Sequence, residues 1–137
     1  MRKGFTLIEL LVVIAIIALL STLSVVALNN ARVKSRDARR LSDIKQIRTA
    51  LEMYFNQNNS YPIDGGNLGH GYDYGCIGPD GFQDTNCPNA YMEVIPSDPK
   101  GVYSYVYSST TGLNYELSYH LEGTNQDYTA TPATMGY

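Results

Sequence analysis

The sequence predicts an α+β subunit: one long amino-terminal helix, half transmembrane and half amphipathic, packed on a small antiparallel three-stranded sheet. Three observations carry this. No Pro or Gly interrupts residues 5–60; apolar residues then recur at helical spacing from Leu41 to Phe55; and apolar and polar residues alternate from Tyr103 to Leu121. A helical pattern followed by a strand pattern gives each element one apolar face, and those faces bury against each other.

The helix opens with "KGFTLIELLVVIAIIALL" at residues 3–20, and from Phe5 to Leu28 its only charged side chain is Glu9. At 1.5 Å per residue such a run reaches roughly 36 Å, enough to cross a hydrocarbon core of about 30 Å. A carboxylate retained inside it costs about 2.5–3.5 kcal/mol even on lenient insertion scales, so Glu9 calls for a partner or a function. Two ordinary readings leave it without one. A secretory signal cut after Ala27 has an apolar core longer than usual. A plain anchor oriented by charge alone puts the head in the cytoplasm, because Arg32 to Arg48 outweighs Arg2 and Lys3.

Beyond Leu28 the helix changes character. Leu41, Ile44, Ile47, Leu51, Tyr54 and Phe55 lie at three- and four-residue spacings, with Arg40, Asp43, Lys45 and Arg48 between them, which is the stripe of an amphipathic helix. "NQNNSYP" ends it, since Asn and Ser favour turns and Pro62 disfavours helix at Tyr61.

Residues 61–100 read as a glycine-rich loop. Cys76 and Cys87 lie inside it with ten residues between them. A disulfide there contributes roughly 2.5–3 kcal/mol in the chain-entropy model and persists outside the cytosol, so a bond is expected in preference to two free thiols. Asp64, Asp73, Asp80 and Asp84 match no EF-hand spacing, and a solvated acidic loop is the expectation.

From residue 101 to 137 the chain reads as sheet and tail. Tyr103, Tyr105 and Tyr107 point one way; after the "SSTTG" turn, Tyr115, Leu117, Tyr119 and Leu121 share a face opposite Glu116, Ser118 and His120. A third strand near Tyr128 to Thr131 follows the "GTNQ" turn. The hydroxyls of the 12 tyrosines are expected at the edge of a thin core, facing water or a neighbouring subunit.

Charge is divided unevenly behind a net value of −3: Arg32 to Arg48 holds seven bases against Asp37 and Asp43, whereas Thr49 to Tyr137 holds Lys100 against ten acids. A basic stem and an acidic head can attract each other between copies. Enzyme chemistry is not expected. His70 and His120 have no nucleophile paired with them in sequence, neither Cys nor His shows metal spacing, and no phosphate-cradling glycine motif precedes a helix. No metal or other cofactor is therefore assigned.

"KGFTLIEL" closely resembles the amino-terminal signal of type IV pilins and type II secretion pseudopilins: a short basic leader ending in Gly, then Phe, with Glu at the fifth position of the mature chain. More weakly, "ALEMYFNQNNSYP", "IPSDPKGVYSYVY" and "NYELSYHLE" are similar to the same family. The resemblance implies a pilin-like fold with a leader at residues 1–4, a transmembrane and filament-core helix at 5–28 and an amphipathic head helix at 29–60. It implies cleavage between Gly4 and Phe5 by a membrane prepilin peptidase, which also methylates the amino group of Phe5. It gives Glu9 the role of neutralising the amino terminus of an adjacent copy during assembly.

The implied partners are further copies in a homo-oligomeric filament, the peptidase and methyltransferase, inner-membrane assembly machinery and the membrane itself. The implied location is a single-pass precursor in the inner or cytoplasmic membrane with its head outside, then an extracytoplasmic filament or the cell surface. Two departures stand out. "EGTNQDYTATPATMGY" offers only Asn125 and Asp127 toward the calcium loop of major pseudopilins, and Cys76 and Cys87 precede the strands instead of closing a carboxy-terminal loop. Two alternatives stay open: a minor pilin taking up DNA through Arg32, Lys34, Arg36, Arg39 and Arg40, and an anchored binding module that does not polymerise.

Overall fold

The computed structural model describes residues 4–133, so most of the expected leader and the last four residues of the tail lie outside the described residues. Helix α1 spans Leu7–Asn58. The chain divides into two units, residues 1–35 and 36–137.

In the first unit every described residue from Gly4 to Arg32 is exposed, including the whole aliphatic run. The segment is long and apolar enough to cross a membrane, and none of it is buried within the chain. Its backbone is satisfied by the helix itself.

The second unit is the head. Here α1 buries Ile44, Ile47, Ala50 and Leu51, at the three- and four-residue spacings the sequence predicts, while Leu41, Tyr54 and Phe55 pack against the rim of the core. Each fully buried aliphatic side chain contributes about 1.5–3 kcal/mol. The helix ends where Asn59 takes a left-handed conformation (φ 52°) and donates its N–H to the Phe55 carbonyl at 2.7 Å, a conformation asparagine tolerates better than most residues.

The sheet has four strands where the sequence reading expects three. In order they are β1 (Asp64–Leu68), β4 (Tyr105–Ser109), β5 (Glu116–Leu121) and β6 (Gln126–Ala130), all antiparallel neighbours. The additional strand, β1, lies in the expected glycine-rich loop, and its sequence "DGGNL" carries no strand pattern. It exists because β4 offers a free edge, with Gly66 opposite Tyr107 and Leu68 opposite Tyr105. The same stretch also holds a small second sheet of β2 (Cys76–Gly78) and β3 (Gly81–Gln83). Cys76 and Cys87 are disulfide-bonded, joining that sheet to the chain that follows it.

Alternation along β4 and β5 holds: Tyr105, Tyr107, Leu117 and Tyr119 are buried, whereas Val106, Ser108 and Glu116 are exposed. The tyrosine hydroxyls depart from expectation, because several turn inward. Tyr105 Oη donates to Asp43 Oδ2 at 2.9 Å, and Tyr107 Oη donates to the Pro62 carbonyl at 2.7 Å. A buried phenol that meets an acceptor adds its ring to the core without stranding its hydroxyl.

Candidate functional site

Two polar constellations stand out, one at the start of α1 and one in the head. The first surrounds Glu9. Thr6 caps α1: its carbonyl accepts from Leu10 N–H, and its Oγ1 accepts from Glu9 N–H at 3.3 Å. In return Glu9 Oε2 accepts from Thr6 N–H at 2.8 Å and from Thr6 Oγ1 at 2.5 Å. Threonine at the cap with glutamate three residues on forms a capping box, which satisfies otherwise orphaned amides at a helix start. The signal "TLIE" was present in the sequence; Thr6 is the residue that reading missed.

The cap uses Oε2 and leaves Oε1 without a partner among the described residues. Glu9 can therefore hold its own helix end and still accept a cation. Gly4 and Phe5, the residues flanking the expected cut, are exposed immediately before the helix.

The second constellation ties α1 to the β5–β6 turn. Arg40 is fully buried, with Nε 2.5 Å and Nη2 3.0 Å from the two oxygens of Asp98, and Nη1 2.8 Å from Asp37 and 2.7 Å from Glu122. Arg36 meets Glu122 through two parallel bonds of 2.8 and 2.7 Å, and Lys100 Nζ lies 3.3 Å from the same carboxylate. Asp37 in turn accepts the backbone N–H groups of Glu122 and Gly123.

These contacts explain the titration behaviour. Arg36, then Arg40 and Lys100, hold the Glu122 carboxyl far below the usual range, against the effect of burial. Burial works against the charge on Asp98, but Arg40 and the Lys100 N–H outweigh it and its pKa is lowered. Burial raises Asp43, and the Tyr105 hydroxyl only partly opposes that.

The cluster redistributes the residues that the sequence groups together. Of the five stem cations named for phosphate binding, Arg36 and Arg40 are committed to internal pairs, while Arg32, Lys34 and Arg39 are exposed. Asp127, at which no calcium site was expected, pairs with His120 Nδ1 at 2.8 Å. His120 itself is not a solvated surface histidine, because its ring stacks on Tyr103 with centroids 3.9 Å apart. Among the described residues no group of three or more His, Cys, Asp or Glu is placed to hold a metal ion.

An apolar helix with a capped, glutamate-bearing start, joined to a small α+β head, defines a class of helix-anchored subunit. The prokaryotic N-terminal methylation motif matches residues 1–25. The chain is similar to the type II secretion system core protein G of Dickeya chrysanthemi, 32% identical over 124 residues covering 89% of this chain and 79% of that protein. The protein of the same name from Pectobacterium carotovorum is 34% identical over 101 residues, covering 73% of this chain and 63% of the relative, so the match spans just under two thirds of that protein's length. The type IV major fimbrial protein FimA of Dichelobacter nodosus is 42% identical over 52 residues, 38% of this chain and 33% of its own. No solved structure matches the chain at comparable stringency. This chain belongs to the family of type IV pilins and type II secretion pseudopilins.

Proposed function

We propose that the chain is a structural subunit that polymerises through its amino-terminal helix into a type IV pilus or a type II secretion-like filament. One observation carries the reading: from Leu7 to Leu28 the helix is apolar but for Glu9, Ser21, Thr22 and Ser24, and none of it is covered by its own chain. A helix this apolar must be buried in something, first lipid and then the helices of other copies.

The leader is removed between Gly4 and Phe5, and the freed amino group of Phe5 is methylated. That cut places an ammonium beside Thr6 and Glu9, at the one point in the run where a carboxylate waits. Glu9 keeps its cap through Oε2 and receives the Phe5 ammonium of an adjacent copy through Oε1, so two isolated charges are neutralised in an apolar core. The precursor is a single-pass membrane protein with its head outside, where the Cys76–Cys87 bond persists.

A Glu9→Ala chain is expected to be cleaved normally and to yield far fewer filaments by electron microscopy of sheared material. Normal yield from that variant would remove Glu9 from the mechanism. DNA uptake is the less favoured reading, because Arg36 and Arg40 are already paired and only Arg32, Lys34 and Arg39 of the five remain exposed for phosphate.

A further inference from the structure

The first unit carries its charges at the two ends of the apolar run. Between Leu10 and Ser35 the charged side chains are Arg32 and Lys34. Both are exposed, and among the described residues neither takes part in an ion pair or a hydrogen bond. The next cations in sequence differ: Arg36 and Arg40 belong to the head and are committed to Glu122 and Asp98.

Geometry restricts the kind of partner that can reach both free cations. Two positions apart on an α-helix, at about 100° per residue, Arg32 and Lys34 project to opposite sides, roughly 200° apart. A flat macromolecular surface meets one of them and misses the other. A collar of lipid headgroups surrounds the helix and meets both.

Position along the axis gives the same answer. From Glu9 to Arg32 the helix rises roughly 35 Å, against a hydrocarbon core of about 30 Å in a bilayer of about 40–45 Å. With Glu9 at one boundary of the core, Asn29 and Asn30 stand at the other, and Arg32 and Lys34 reach the headgroup layer beyond it. Long basic side chains suit that layer, because their methylenes lie along acyl chains while their charged ends meet phosphate.

We propose that Arg32 and Lys34 bind the phosphates of anionic phospholipids in the leaflet where the helix leaves the membrane, so that the anchor gathers anionic in preference to zwitterionic lipid. The inference rests on the membrane-anchor reading of the apolar run and names the lipid class that anchor selects. An anionic headgroup carries a net charge that a zwitterionic one lacks, so the preference follows the charge of the two side chains and weakens as salt screens it.

The test uses the full chain in nanodiscs of equal parts phosphatidylglycerol and phosphatidylcholine, ejected into a mass spectrometer under native conditions to count the lipids that stay bound. Preferential retention of phosphatidylglycerol is expected, reduced about fivefold for each cation removed in Arg32→Gln and Lys34→Gln, and kept by Arg32→Lys with Lys34→Arg. Arg39→Gln, in the head, should leave the preference unchanged. An equal preference in the Arg32→Gln, Lys34→Gln chain would place the lipid at Arg2 and Lys3 and overturn the collar. An equal loss in Arg39→Gln would reduce it to diffuse attraction by net charge and overturn it too. Displacement of the bound phosphatidylglycerol by a short DNA duplex would make nucleic acid the partner instead. Release of the unaltered chain from bilayers by alkaline carbonate would overturn the anchor reading itself.

Discussion

Two stretches of one helix meet opposite fates. Between Leu7 and Leu28 every large apolar side chain is exposed, whereas between Arg40 and Leu51 even an arginine is fully buried. The first stretch is the more hydrophobic, yet the second supplies the core. Hydrophobicity alone does not say where a segment is buried; what decides it is whether the same chain provides a partner. The sheet and the ion cluster provide one for residues 40–51. For the apolar stretch the proposed partners are lipid and the helices of other copies.

Breaking the second stretch has the largest expected effect. Arg40→Met strands Asp98 without its buried cation, while Glu122 keeps Arg36 and Lys100, and losing one partner of a buried pair costs about 3–5 kcal/mol. Thermal unfolding of the full chain in detergent micelles, followed by near-UV circular dichroism of the tyrosines, measures that loss. Replacing both cysteines, Cys76→Ser with Cys87→Ser, removes a loop constraint and should cost about 2.5–3 kcal/mol in the same experiment.

Acid titration sharpens the comparison. Glu122 and Asp98 have lowered pKa values in the fold, so their contribution is complete above the ordinary carboxylate range near 4 and is lost as pH falls below it. Asp43 is raised and works in the opposite sense, since protonation relieves its buried charge. Two lowered groups against one raised predict a net, graded loss of head stability below about pH 4, and a flatter profile in Arg40→Met. The smallest effect belongs to the first stretch. Leu11→Ala removes an exposed side chain and should leave head unfolding within about 0.5 kcal/mol of the parent, while lowering filament yield.

Much of this was legible in the sequence, and what was not has physical reasons. The long helix follows from an uninterrupted stretch without Pro or Gly, and β4 and β5 follow from strict alternation. β1 was invisible because "DGGNL" becomes a strand only through pairing with the edge of β4. The Arg40 cluster was invisible because only Asp37 is near it in sequence, while Asp98 lies 58 residues away and Glu122 farther still, and charge alone reads as a solvated stem. Thr6 was readable as a cap, because threonine stands three residues before Glu9 at the start of the helical run.

The central claim is that the exposed apolar helix is processed at its start and then covered by other copies. Mass spectrometry of the amino-terminal peptide from sheared, purified filaments tests it most directly. A chain beginning at N-methylated Phe5 is the predicted result. A filament-free preparation, a chain retaining Met1 or one beginning at Leu28 would contradict the account and leave Glu9 as a helix cap and nothing more.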